Sequence, residues 1–221
     1  MRQYRFSIEY HKGFSFSWGY ALYSAFLEKL KGDEAQKIHR NTFFNQYITH
    51  RGWVINTTEE HSFEKEYFLD KFNVSIHLKE GSLRQFSEQD LADKFLVKDP
   101  YKRNMRVNFL TPTTFKQAGE YVLYPTKDLV MQSLTNKWNQ WAKNFVIEDM
   151  TWDNCKIARY NLRSSSYKLK GAHIQGFMGY IDLYFWGPES IIRLGNLVCN
   201  FANHSGIGIK TTLGMGGAKV E

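Results

Sequence analysis

Thirteen residues, Ser205 to Gly217, read SGIGIKTTLGMGG and include five glycines: Gly206, Gly208, Gly214, Gly216 and Gly217. Glycine permits positive φ and lets backbone approach a ligand closely. Lys210, Thr211 and Thr212 add a cation and two hydroxyls. Successive amides in such a loop form a cradle for an anion, so the stretch is a candidate phosphate-binding loop. The nucleotide loops do not fit. No lysine follows a glycine at P-loop spacing, and Thr211 stands where the third glycine of G-x-G-x-x-G belongs. Both motifs also lead into a helix, whereas only Ala218 to Glu221 follow here, enough for a short strand.

A second constellation is basic. Arg159, Arg163, Lys168, Lys170 and His173 surround Ser164, Ser165 and Ser166. Alternation along two strands predicts that these cations share one face. Arginine suits guanine edges and phosphates, and lysine supplies charge. The third group is the histidines, which act as acid or base near neutrality. His39 closes a short helix, where it serves proton transfer, caps a carbonyl or packs against the sheet. His50, beside Arg51 in a turn, and His61 are rivals; His204 sits at a helix C-terminus that favours its cation. No pair of histidines has metal-ligand spacing. Cys155 and Cys199 are isolated and form neither a disulfide framework nor a zinc motif. Neither a metal nor a cofactor is expected.

The elements that must position these groups follow from periodicity. Tyr4, Phe6, Ile8 and Tyr10 alternate with polar residues and predict a half-buried strand. A helix follows from about Trp18 to Lys31, with Trp18, Leu22, Ala25 and Phe26 on one face and Tyr20, Tyr23 and Leu27 beside it. Asp33, with Gln36 three residues later, predicts a capped short helix that delivers His39. Strands are expected near 42–48 and 52–56, then a helix from Thr57 through Phe72 with Phe63, Tyr67 and Phe68 inward, then a strand at Val74, Ile76 and Leu78. Strand, helix, strand, strand, helix, strand is the ferredoxin-like order.

Ser87 to Asp90 starts a connecting helix and Asp99-Pro100 breaks it. The order then repeats: a strand at Met105, Val107 and Phe109, with Tyr121 to Tyr124 extending the sheet. A helix runs from Lys127 to about Lys143, with Val130, Leu134, Trp138 and Trp141 in register. Strands follow around Tyr160, Tyr167 and Leu183. Last comes a helix opened by Pro188, with Ile191, Leu194, Val198 and Phe201 inward, ended by Gly206. The predicted fold is α+β: two tandem βαββαβ domains, 1–98 and 99–221, with the glycine-rich loop before the last strand.

Composition fits a nucleic-acid partner. The 221 residues carry 29 Lys+Arg against 22 Asp+Glu, a net charge of +7, and 16% are aromatic. A basic chain attracts polyanions, and aromatic faces stack unpaired bases. No apolar run is long enough to span a membrane, and the first residues alternate unlike a signal peptide. The expectation is a cytoplasmic protein with no membrane partner.

The loop also carries a resemblance. Gly206, Gly208, Lys210, Thr211, Leu213, Gly214, Met215 and Gly216 match, position by position, the G-x-G-x-K-[TS]-x-L-G-[MF]-G signature of the CRISPR-associated endoribonucleases that cut precursor CRISPR RNA, members of the repeat-associated mysterious protein superfamily. LTPTTFK at 110–116 and GFMGYIDLYFWGP at 176–188 also look like that family. The resemblance implies two side-by-side ferredoxin-like domains and metal-independent cleavage by 2′-hydroxyl attack. It makes Ile38-His39 the pair that carries the general acid or base, with Tyr23 in the first helix assisting. The family's further lysine is missing, since position 45 is Asn45; Arg40, Lys37 and Arg51 are candidates for its charge. It gives RNA binding to the basic hairpin, Ser165 included, and to the loop at Gly206, Gly208, Lys210, Thr211, Gly214 and Gly216. Repeat RNA is the implied partner, with a CRISPR effector complex and a second copy of the chain as further candidates. A catalytically silent repeat-RNA-binding subunit is the alternative.

Overall fold

The computed structural model describes every residue except Lys31, Asp33, Asn41, Thr42 and Asp149, and describes the backbone but not the side chains of His39 and Arg40. The first half runs β1 (Arg2–Glu9), α1 (Trp18–Lys29), α2 (Glu34–Arg40), β2 (Phe44–Thr49), β3 (Gly52–Thr57), β4 (Glu66–Leu69) and β5 (Val74–Gln85). These strands form one sheet in the order β2-β3-β1-β5-β4, antiparallel at every pairing. Alternation in β1 sends Tyr4, Phe6 and Ile8 into a core with Trp18, Leu22 and Phe26 of α1. Burying each such side chain contributes roughly 1.5–3 kcal/mol.

The α-helix expected over 57–72 is absent. Residues 58–65 run without helix, and β4 pairs with β5 at the sheet edge instead. Leu69 is 2% exposed and Phe68 is 52% exposed, the period of a strand rather than a helix. Thr57, read as a helix start, accepts the Glu59 N–H at 3.1 Å and closes a local turn. Phe63 fills the space over the sheet. Its ring centroid lies 4.9 Å from those of Tyr4 and Phe6 and 5.3 Å from that of Phe26.

The connector is α3 (Glu88–Ala92) followed by a π-helical turn, Asp93–Lys98. Ser87 and Asp90 cap α3 reciprocally: the Ser87 hydroxyl accepts the Asp90 N–H at 3.1 Å, and the Asp90 carboxylate accepts the Ser87 N–H at 2.7 Å. The second half runs β6 (Asn104–Thr113), β7 (Phe115–Gln117), β8 (Glu120–Val122), α4 (Lys127–Trp141), β9 (Cys155–Leu169), β10 (Ala172–Phe185), α5 (Glu189–Ser205) and β11 (Ala218–Val220). Here both helices of the βαββαβ plan are present, over an antiparallel sheet ordered β11-β6-β10-β9. Val130, Leu134 and Trp138 of α4 and Ile192, Val198 and Phe201 of α5 pack on Val107, Phe109, Ile181 and Leu183. The stretch at Tyr121 does not extend this sheet: β8 pairs only with β7, in a separate hairpin.

A buried polar seam joins the two halves. The Gln3 amide donates to Asn56 Oδ1 at 2.7 Å, to the Asn203 carbonyl at 3.2 Å and to His204 Nδ1 at 3.1 Å. Asn56 donates to Asn45 Oδ1 at 3.1 Å, and Asn45 donates to the His204 carbonyl. Asn45, which stands where a catalytic lysine was sought, is therefore spent on this seam.

The strand and helix readings of 66–69 separate by mutation. Leu69→Ala is expected to destabilise the protein by about 2–5 kcal/mol and Phe68→Ala by less than about 0.5 kcal/mol, measured by denaturant unfolding. Equal losses would restore the helix.

Candidate nucleic-acid interface

The glycine-rich loop leaves α5 at Gly206, where φ is +63° and the N–H donates to the Ala202 carbonyl at 3.0 Å. Its two limbs are tied together by Ile207 N–H donating to the Gly216 carbonyl at 2.8 Å. Gly216 N–H donates to Pro112 at 3.0 Å and Ile209 N–H to Thr114 at 3.1 Å, fixing both limbs to the end of β6. Beneath the loop, Gly208 N–H donates to Ser133 Oγ and Lys137 Nζ donates to Thr211 Oγ1, each at 2.9 Å.

The loop's tip is fixed to the first half. Thr212 Oγ1 donates to the Phe44 carbonyl at 2.9 Å. The Gln46 amide donates to Thr212 at 3.1 Å and to Gly19 of α1 at 3.0 Å, while its oxygen accepts from Trp53 Nε1 at 2.8 Å. Tyr167 Oη donates to the Leu213 carbonyl at 2.6 Å.

This packing corrects the expected role of the glycines. A Cβ on Gly208, whose φ is +78°, would overlap the Thr114 carbonyl; one on Gly214, φ +100°, would lie 2.7 Å from Tyr167 Oη. The glycines let the loop approach its own protein. Gly206, Gly214 and Gly216 are buried, and Thr211 at 8% exposure turns its hydroxyl to Lys137. The half-buried outer surface is made by Gly208, Ile209, Lys210, Thr212 and Leu213.

The basic hairpin divides its charges. Lys168 pairs with His173, Ser166 with Gln175, Ser165 with Gly176, Arg163 with Met178 and Arg159 with Asp182. Side chains alternate along a strand, so Arg159, Arg163 and Ser165 share one face and Lys168 and Ser166 the other. The expected single basic face is therefore two. On the arginine face, Asp182 holds Arg106 through two bonds of 2.7 and 2.8 Å, and that guanidinium keeps the Asp182 carboxyl below its usual range. Arg106 also lies 4.0 Å from the Tyr180 ring centroid. At the tip, Lys170 has φ +49° and its ammonium lies 6.0 Å from the Tyr20 ring of α1. Lys168 N–H donates to Ser17 Oγ at 3.1 Å. Between tip and helix runs a groove of about 610 Å³ lined by Tyr20, Ser24, Glu28, Lys71, Lys168 and Lys170.

His39 lies in the last turn of α2, after Ile38, which is buried in the first core. The side chains of His39 and Arg40, and the Asp33 cap, lie outside the described residues. His39 stands five residues before Phe44, a reach of at most about 17 Å from the carbonyl that receives Thr212. Tyr23 is 2% exposed, its ring 5.5 Å from that of Phe44, and burial pushes its phenol up to about 12.

The rival histidines sit elsewhere. His50 and Arg51 occupy the β2–β3 turn, at the end of β2 opposite Phe44. His61 is hydrogen-bonded to Thr57 Oγ1 at 3.3 Å, and burial lowers its pKa. His204 accepts from Gln3, its ring centroid 4.2 Å from that of Phe86, and burial lowers its pKa to about 3. Lys37 is exposed on α2, the same helix as His39. Sequence reasoning missed Gln46, Ser133 and Lys137. The signal for Gln46 was an amide inside the apolar strand FNQYIT, where polar groups need a fixed partner.

Residues 107–218 match the family model for the CRISPR-associated endoribonuclease Cas6. The CRISPR-associated endoribonuclease Cas6 of Streptococcus thermophilus is 30% identical over 216 residues, covering 88% of each chain. That of Mycobacterium tuberculosis (strain CDC 1551 / Oshkosh) is 25% identical, covering 90% of this chain and 70% of the relative. The solved structure of Thermus thermophilus Cas6 (TTHB231) superposes with a TM-score of 0.74 at 20% identity, covering 100% of this chain and 98% of that one. The Cas6 (TTHA0078) product complex gives 0.76 at 18% identity, with the same coverage. A shared fold, a matched family model that includes the glycine-rich loop, and a relative 30% identical along nearly the whole chain agree, and the chain belongs to the CRISPR-associated endoribonuclease Cas6 family.

Proposed function

We propose that this endoribonuclease cuts repeat RNA within precursor CRISPR transcripts by a metal-independent transesterification in which His39 transfers the proton. RNA carries its own nucleophile. The 2′-hydroxyl loses its proton and attacks the adjacent phosphorus, the bond to the 5′ oxygen breaks, and that oxygen takes up a proton. The products are a 2′,3′-cyclic phosphate and a 5′-hydroxyl. The observation that carries this reading is the contact at Phe44: its carbonyl accepts the Thr212 hydroxyl of the loop, and His39 stands five residues before it in the chain. The C-terminal end of α2 favours an imidazolium by about 0.3–1 kcal/mol, which suits a general acid. Tyr23 stays protonated up to about 12 and so acts as a hydrogen-bond donor from the core, never as a base.

The domains 1–98 and 99–221 then divide the labour, the first holding His39 and the second gripping RNA. Lys210 and the exposed part of the loop meet the phosphates around the cut. Lys168, Lys170 and His173 hold RNA on one side of the hairpin, and Arg159, Arg163 and Ser165 on the other. Arg40 and Lys37 belong to the helix of His39 and supply the charge that stabilises the crowded phosphate in this reading. Co-purification tests an effector complex, and size exclusion a homodimer, as further partners.

His39→Ala is expected to lower the cleavage rate of labelled repeat RNA about 10²-fold or more in EDTA while affinity is kept, and a 2′-deoxy residue before the cut to abolish cleavage. Activity lost in EDTA and restored by magnesium would overturn the metal-independent route. Full activity in His39→Ala would remove His39 from it.

The glycines are expected to matter for stability as well as for binding. Gly208→Val forces an overlap with Thr114 and a side chain at positive φ, costing about 2–4 kcal/mol in thermal unfolding. Lys210→Ala should leave the unfolding midpoint in place and weaken RNA binding. An unchanged midpoint in Gly208→Val would return that glycine to the phosphate.

A further inference from the structure

Lys137 stands on the flank of α4 that faces the glycine-rich loop, one turn beyond Ser133. Its ammonium donates to Thr211 Oγ1 at 2.9 Å, and Ser133 Oγ accepts the Gly208 N–H at 2.9 Å. The pair i, i+4 on one helix face thus reaches two successive parts of the loop from below. Thr211 in turn packs on the glycines: its Cγ2 is 3.1 Å from the Cβ position of Gly206 and 2.9 Å from that of Gly216. The next residues on either side of Thr211 are Lys210, half-exposed, and Thr212, fixed to Phe44. Whatever orients Thr211 therefore orients both.

The ammonium is an expensive way to hold a hydroxyl. Among the described residues Lys137 forms no ion pair, and its pKa is lowered to about 8 by desolvation alone, with no charged group contributing. A desolvated charge without a counter-ion costs stability, and an apolar side chain of similar shape in its place is often neutral or stabilising. A lysine kept at that cost under a phosphate-facing loop points to a role in function.

We propose that Lys137 is a positioning residue for RNA cleavage, holding Thr211 so that the loop presents Lys210 to the RNA phosphate while adding a positive charge beneath it. The inference rests on the reading that the loop's exposed surface meets RNA. Ser133 is its neutral counterpart, fixing Gly208. The phosphate supplies the missing counter-charge, so RNA and Lys137 stabilise each other: the charge that is unfavourable in the empty protein becomes favourable in the complex.

The test separates fold from function. Affinity is measured with an uncleavable repeat RNA, 2′-deoxy at the cut, for wild type, Lys137→Met, Lys137→Arg, Ser133→Ala and Lys210→Ala. Lys137→Met is expected to weaken binding roughly tenfold or more, and Ser133→Ala by severalfold, while the Lys137→Met melting temperature stays level or rises. Wild-type affinity should fall as pH rises from 7 to 9, because the charged form is lost above about 8. Lys137→Arg, which stays charged, should retain binding across that range. If Lys137→Met binds RNA like wild type while Lys210→Ala does not, the positioning role is overturned and the loop reading stands. If Lys210→Ala also binds like wild type, the loop reading itself fails. A Lys137→Met protein that loses melting temperature and affinity together, with the same pH profile in Lys137→Arg as in wild type, would make Lys137 structural only.

Discussion

One side-chain amide closes the molecule on itself. Gln46 donates to Gly19 in α1 and to Thr212 in the loop while accepting from Trp53. Every polar atom of that amide is committed inside the protein, where an unpaired partner costs about 1–3 kcal/mol. The arrangement is thus close to all-or-none. With it in place, the loop tip, the first helix and β2 share one position, and Thr212 reaches Phe44. Without it, the two halves remain joined by the Gln3–Asn56–Asn45–His204 seam and by Thr212 on Phe44, but the tie from the loop through β2 to Gly19 of α1 is lost.

That seam is polar rather than apolar, and the choice has a physical consequence. Burial of apolar area is non-directional, so apolar faces are set by shape, through interdigitated packing. Amides paired as donor and acceptor fix one register, since a shift leaves buried groups unsatisfied. The seam thus sets the register of the two halves, which also meet through Thr212 and Phe44 and through Phe16 and Tyr20 packed on Tyr167 and Met215. Burial keeps His204 neutral, so ordinary changes in acidity leave this relation alone.

The sequence was legible where one physical signal dominated. The second half follows its periodicity nearly element by element, because α4 and α5 each carry an apolar stripe and the end of β10, from Ile181 to Phe185, alternates. The glycine-rich loop was found from composition, although its reason was not. Positive φ at Gly208 and Gly214 was legible; that Thr114 and Tyr167, distant in sequence, crowd those glycines was not. The stretch 57–72 failed because Phe63 and Tyr67 stand four apart, a helical spacing, while Tyr67 and Leu69 stand two apart, a strand spacing. A short segment with both periods is decided by partners, here β5. The hairpin cations were expected on one face from strand alternation, yet Arg163 and Lys168 are an odd number of residues apart on the same strand, and the same alternation puts them on opposite faces. Ser133 and Lys137 were invisible in principle, since a polar pair on a helix looks solvated until a loop is laid over it.

The loop's exit limb enters β11, which pairs with β6 more than a hundred residues earlier in the chain; Ala218 lies opposite Phe109. Thr212 and Phe44 are further apart still, at 168 residues. A ribosome releases the first half well before these contacts exist, and domains fold from the N-terminus as they emerge. The bond between Thr212 and Phe44 can therefore form only after the loop has been made, long after β2. The contacts that close the loop onto the first half are thus among the longest-range in the chain, and they depend on its final strand.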